Sequence, residues 1–184
     1  MTRLLSVLVL AAAAVAVAQS PQCPEFFRAS TGQPGWILVS GPGVSSPFPA
    51  VSVSPYNGWT VLPGSTWVSV DPYRGNAAGD YTYEFTFCLC QAAKQPRLNL
   101  SFYADNGARV FLNATLVFAT SGNTNFSGSP RTVSYTGTGW VPGTNKVQVV
   151  VHNDSSVTGL DAMLTITQAT AGACPRRAVT LPTQ

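Results

Sequence analysis

The segment YTYEFTFCLC, Tyr81 to Cys90, alternates strictly between large apolar or aromatic residues and smaller or polar ones. A β-strand points successive side chains to opposite faces. Tyr81, Tyr83, Phe85, Phe87 and Leu89 are therefore expected on a core face, and Thr82, Glu84, Thr86, Cys88 and Cys90 on an outer one. The same parity recurs downstream. Leu98, Leu100, Phe102 and Ala104 point inward while Arg97, Asn99, Ser101 and Tyr103 point out. Val147, Val149 and Val151 alternate with Lys146, Gln148 and His152, and Leu160, Ala162, Leu164 and Ile166 line a last inner face. Helical periodicity is missing, and the 16 Gly and 14 Pro punctuate short β-branched and aromatic runs. Half-buried strands of this kind predict an all-β fold, a two-sheet antiparallel β-sandwich. With roughly eight to ten strands, a jelly roll is the expected way to manage sheet edges.

Residues 1–18 read as a secretory signal peptide, with Arg3, an apolar run from Leu4 to Val17 and a small-x-small site at Ala16 to Ala18. No later segment is long and apolar enough to span a bilayer. The expected localisation is secreted, extracellular. Residues 19–64 form a loop-rich N-terminal part of the same domain, with short strands near Trp36 to Ser40 and Ala50 to Ser54. Residues 65–175 form the sandwich core and 176–184 a flexible tail. Charged residues make up only 9% of the chain and its net charge is +3, with one basic pair at Arg176-Arg177. Nothing resembles a phosphate-binding stripe, so nucleic acid is not an expected partner.

Four cysteines in a secreted chain predict two disulfides. Cys88 and Cys90 lie on one strand with Cα atoms about 6.7 Å apart and parallel side chains, unsuited to pairing with each other. Cys23 and Cys174 would then each be pinned to one of them, across the outer face of that sheet. A metal or redox role for Cys-Leu-Cys lacks further ligands, since the chain has one His.

Asp105-Asn106-Gly107 is a turn signal, because Asn and Gly tolerate positive φ. It predicts a tight turn between a strand ending at Ala104 and one starting near Ala108. The run to Phe118 then reads as strand, turn at Asn113, strand. In order, YTYEFTF, LNLSFYADNGARVFLNATLVF and GTNKVQVVVHNDSSVTGLDAMLTI resemble the galactose-binding-domain-like jelly roll, a superfamily that includes carbohydrate-binding modules. The resemblance covers residues 65–167, beginning with STWVSVD. It implies a jelly roll and, by analogy, either sugar binding or protein attachment. The chain departs from the pattern where Ala114 stands in place of the hairpin glycine, which argues against a type I′ turn there.

Sequons occur at Asn99, Asn113, Asn125 and Asn153. Asn99 on an outer face and Asn113 and Asn125 in turns are expected to be accessible. Asn153, on inward parity, is expected to hold a loop. A sugar site needs an aromatic platform and amides or carboxylates for the hydroxyls. Trp67 and Trp140 read as core. Trp59, after Tyr56-Asn57-Gly58, is the expected platform, with Tyr56, Asn57 and Tyr73 beside it. Asp71, Asn76 and Asp80 share a loop whose carboxylates and amide suit Ca2+, although their spacing matches no standard calcium loop. An enzyme requires a poised acid, base or nucleophile. Glu84 and His152 face outward, no Ser stands in a nucleophile turn, and Asp105, Asp154 and Asp161 fit turns or backbone bonding. The sequence thus predicts a non-catalytic module for glycans or extracellular glycoproteins. The alternative is a structural surface protein that binds no sugar, which a buried Trp59 would favour.

Overall fold

A computed structural model describes residues 26–72, 75–89 and 93–168. The expected signal peptide and tail, and Cys23, Tyr73, Cys90 and Cys174, lie outside the described residues. Among the described residues there are twelve strands and no helix, so none is long and apolar enough to cross a membrane. The strands are β1 (Phe26–Ser30), β2 (Trp36–Ser40), β3 (Phe48–Pro49), β4 (Val51–Ser52), β5 (Val68–Ser69) and β6 (Gly79–Leu89). They continue with β7 (Arg97–Asp105), β8 (Gly107–Leu112), β9 (Thr115–Ala119), β10 (Arg131–Tyr135), β11 (Gly143–Asn153) and β12 (Gly159–Thr167).

They form two six-stranded antiparallel sheets. The first runs β10-β7-β12-β5-β4, with β1 also on β12; the second runs β3-β2-β6-β11-β8-β9. From β6 to β8, and again from β9 to β12, most consecutive strands alternate between the sheets, which is the winding of a jelly roll. The strands β1 to β4 are built into both sheets, so the loop-rich N-terminal part shares the body of the sandwich.

Side-chain parity explains the core. Tyr81, Tyr83, Phe87 and Leu89 of β6 and Val147, Val149 and Val151 of β11 are buried from one side. Leu98, Leu100, Phe102 and Ala104 of β7 meet them from the other, with Leu160, Ala162, Leu164 and Ile166 of β12. Phe85 is only partly buried and tilts against Trp36, with ring centroids 5.7 Å apart. Burying each large apolar side chain of this set contributes about 1.5–3 kcal/mol, so the two ladders β6–β11 and β7–β12 carry the fold.

The structure corrects one local expectation and refines two others. First, Asp105-Asn106-Gly107 does turn the chain, but the strands it joins do not pair. Asp105 pairs with Gly159 in the first sheet and Gly107 with His152 in the second. The segment is a corner between layers, with a cis peptide between Asp105 and Asn106. Asn106 is used on three sides there: its N–H donates to His152 O (2.7 Å), its O accepts from Asn125 Nδ2 (2.8 Å), and its Oδ1 accepts from Asp154 N (2.8 Å).

Second, β8 and β9 do make a two-residue hairpin, since Leu112 pairs with Thr115. Asn113 has φ 53 and Ala114 is not left-handed, so the turn is not type I′, which needs positive φ at both positions.

Third, Tyr103 points outward as expected yet is buried. A second apolar cluster of Trp59, Leu62, Trp67 and Tyr103 covers that end of the first sheet's outer face.

Candidate functional site

The loop between β4 and β5 supplies that cover. Trp59 stacks on Trp67 at 3.9 Å between centroids, and Trp67 lies over Tyr103 at 6.4 Å. Two strand carboxylates staple the loop down. Asp105 accepts the Trp59 indole N–H at 3.1 Å. Asp161 accepts Leu62 N–H at 2.8 Å, the Thr31 hydroxyl at 3.3 Å and the Ser65 hydroxyl. Burial pushes the Asp105 carboxyl up to about 6, with the Trp59 bond opposing and the Asp154 charge adding. Burial also raises Asp161, against its three donors. Asp161 thus satisfies a backbone donor, as expected of it.

Trp59 is only 9% exposed, so it is not an open platform for a sugar ring, and the sequence expectation is corrected. Its neighbours Tyr56 and Asn57 are exposed on the loop tip, Tyr56 meeting the Trp59 ring edge-on at 6.4 Å. The crevice that Trp59 shares with Asp71 and Asn76 holds about 10 Å³, room for about one water and no sugar.

The expected calcium set does not converge either. Asn76 turns its amide to Ser69 Oγ at 3.3 Å. Asp80 stands on β6 in the other sheet, engaged by Arg109 and His152. Among the described residues no group of three or more His, Cys, Asp or Glu is placed to hold a metal.

Two sequon asparagines are corrected as well. Asn125 is buried, with Nδ2 donating to Asn106 O and Gly122 O, both at 2.8 Å, and Oδ1 accepting Arg131 Nε at 2.7 Å. Asn113 gives Nδ2 to Gly139 O (2.6 Å) and Asn145 Oδ1 (3.0 Å), and its Oδ1 takes Lys146 N–H (2.9 Å). Neither Nδ2 is free to carry a glycan in the folded chain. Asn99 sits half-buried on the outer face of β7. Asn153 is buried and donates to Asn76 O and Ala77 O, so it does hold a loop. Cys88 is half-buried on the outer side of β6.

The structure assembles a polar trough that sequence reading did not find. Three strands of the second sheet meet there, with Asp80 paired to His152 across β6–β11 and His152 paired to Gly107 across β11–β8. The residue loop after β9 adds Thr120 and Asn123, and the trough measures about 660 Å³. Arg109 Nη2 donates to Asp80 Oδ2 at 2.5 Å. His152 Nδ1 lies 2.7 Å from Asp80 Oδ1 and its Nε2 3.4 Å from Asp154 Oδ1, and Asn123 Nδ2 donates to Asp154 Oδ2 at 2.8 Å.

Asp80 and Arg109 compensate each other, Asp154 bonds His152 and Asn123, and the pairs are solvated. An exposed pair contributes only about 0–1 kcal/mol to stability, so these side chains can exchange partners with a ligand at little cost. Gly107 forms the floor. It shares its face with His152, and a Cβ there would meet only Thr120 Oγ1, Gly122 O and Asn123 Oδ1 at 3.7–3.9 Å. A Cβ there is accommodated at ordinary contact distance, and a longer side chain would extend among these trough-lining groups. Thr120, the hydroxyl nearest a nucleophile role, is tied to Ala108 N–H at 2.8 Å and Ala108 O at 3.2 Å rather than to His152. The arrangement therefore offers hydrogen bonds, with the Thr120 hydroxyl already engaged.

A β-sandwich jelly roll with an open polar trough on one sheet is the class that fold and site define. No protein-family model matches the chain, and no curated protein matches it. Among solved structures it is similar to a CBM35 from Cellvibrio japonicus, at 17% identity over 82% of this chain and 98% of that one, TM-score 0.47. It is similar to the CBM36-1 domain of a multidomain xylanase from the hindgut metagenome of Trinervitermes trinervoides, at 10% identity over 79% and 98%, TM-score 0.42. An FMN-binding β-glucuronidase from Facaelibacterium prausnitzii matches at 17% identity and TM-score 0.47; the chain aligns over 77% of its own length and spans 22% of that enzyme.

Proposed function

We propose that the chain is a secreted, non-catalytic binding module that takes a neutral glycan in the trough on its second sheet, at a cell surface or in an extracellular matrix. The observation that carries this reading is the trough itself. Five hydrogen-bonding side chains, Asp80, Arg109 and His152 from the sheet and Thr120 and Asn123 from the loop after β9, line it over a glycine floor. Sugar hydroxyls both donate and accept, so they can bridge carboxylate, guanidinium, imidazole and amide in one array. Asp80 and Arg109 cancel and Asp154 leaves a single negative charge, too little to attract an ionic polymer strongly.

The test is binding to an immobilised panel of neutral polysaccharides, followed by calorimetry on the best. Gly107→Leu should abolish binding while leaving the thermal midpoint within a few degrees. Trp59→Ala should destabilise by about 3–5 kcal/mol yet retain affinity at a temperature where it is folded. Full affinity in Gly107→Leu would end the proposal. The burial of Trp59 favours a second reading, a structural module that packs against a partner protein. Absence of polysaccharide binding together with co-purification of a stoichiometric protein partner would support that reading instead.

A further inference from the structure

We infer a second binding site, away from the trough, that takes a single neutral sugar ring against Trp140. It rests on the reading of the chain as a glycan binder. The pocket lies between residues 93–96 and the loop from β10 to β11, and it measures about 350 Å³, within the range of small-ligand sites. Leu89, Trp140, Val141 and Pro142 supply apolar walls; Gln95 and Thr136 supply an amide and a hydroxyl; no charged side chain lines it among the described residues.

Three features fit an amphipathic, uncharged ring. Trp140 is half-buried, but its Nε1 is shut inside without a partner among the described residues. What its side chain shows the pocket is therefore ring carbon, the surface that packs on the apolar face of a pyranose. The indole is held edge-on by Phe87, with centroids 6.3 Å apart, so the ring is a fixed wall. Val141 stands at the mouth 46% exposed, an apolar side chain kept in solvent.

The wall is preorganised by the asparagine of the GTN motif. Asn145, fully buried, accepts Val141 N–H on Oδ1 at 3.0 Å and donates Nδ2 to Val141 O at 2.6 Å and Gly143 O at 3.0 Å. Its Oδ1 also receives Asn113 Nδ2 at 3.0 Å. A backbone loop clamped on both its donor and acceptor sides loses little freedom when a ligand arrives. A proline-rich peptide also docks on aromatic grooves. The amide and hydroxyl beside the apolar walls favour the sugar.

Tryptophan emission reads this site directly, because Trp36, Trp59 and Trp67 are buried and Trp140 is not. The full chain is titrated with the methyl glycosides of glucose, galactose, mannose and fucose, and separately with a deca-proline peptide. At least one glycoside should give a saturable emission change with Kd on the order of 1 mM. The response should persist in Gly107→Leu. It should weaken at least roughly tenfold in Val141→Asp and in Gln95→Gly; the latter removes the amide at a position already left-handed, φ 48. Neither variant touches the core.

No response to any glycoside up to roughly 100 mM, an unchanged response in both variants, or saturation by the peptide alone would overturn the second site. Polysaccharide binding lost in Gly107→Leu with the emission response intact upholds both sites. Polysaccharide binding kept in Gly107→Leu but lost in Val141→Asp upholds this pocket and removes the trough.

Discussion

Replacing Asp105 by Asn should make the protein more stable near neutral pH and flatten its pH dependence. In the folded chain Asp105 is buried under Trp59 and its carboxyl titrates at about 6, against 3.8 for the free group. A carboxyl raised on folding favours the folded state most when protonated. Its contribution is fully present below the unfolded value of 3.8 and is lost as pH rises through 6. A shift of about two units corresponds to about 3 kcal/mol in all. Roughly half of that falls between pH 5 and pH 7.5, because the unfolded chain has already ionised at pH 5.

Guanidinium unfolding at those two pH values, followed by tryptophan emission, measures it. Native protein should lose about 1.5 kcal/mol on going from pH 5 to 7.5 through this group. Asp105→Asn keeps an oxygen for the Trp59 N–H and carries no charge, so it should lose that much less. Other groups titrate in both proteins, Asp161 among them, and cancel in the difference. Equal slopes in the two proteins, or a native protein that gains stability relative to the variant as pH rises, would refute the argument.

Asn145→Ala leaves Val141 N–H and the Asn113 amide short of a partner and should cost about 2–3 kcal/mol, read by urea unfolding; a loss below about 0.5 kcal/mol would show that water replaces the side chain. Gly159→Val should break the indole stack, since a Cβ at Gly159 would sit 3.0 Å from both Trp59 and Trp67. It is expected to cost about 1–3 kcal/mol and to change the near-ultraviolet circular dichroism of the paired indoles, whereas an unchanged spectrum would mean that the loop moves as a unit.

The parts of the fold that follow a local period were legible in the sequence. Inward parity holds along β6, β7, β11 and β12 because both faces of the core repeat every two residues. What a local period cannot report is what covers the other face. Tyr103 was placed correctly on the outer side and still lies buried, since the cover comes from Trp59, Leu62 and Trp67 in a loop far back in the chain. A mid-strand Asp161 on outward parity, together with apolar residues in a loop that lacks strand alternation, was the available signal.

Asn113 and Asn125 read as accessible because turns lie at the surface. Turn asparagines also bond backbone with their amides, and these two do so on several sides. The trough was illegible for a different reason. Asp80, Arg109 and His152 are neighbours only through the β6–β11–β8 register, and register between strands distant in sequence leaves no mark in either strand.

The alternation of strands between layers also governs how the chain can assemble itself. Tyr81 must wait for Val151, and Arg97 for Thr167, before either central ladder closes. Short-range pairing such as the β8–β9 hairpin gives little nucleus to grow from. Topologies dominated by such distant pairings fold in milliseconds to seconds rather than microseconds. On a ribosome, the emerging chain would hold its valine and tyrosine ladders unmatched until nearly the last strand was made, the interval in which it is most exposed to aggregation.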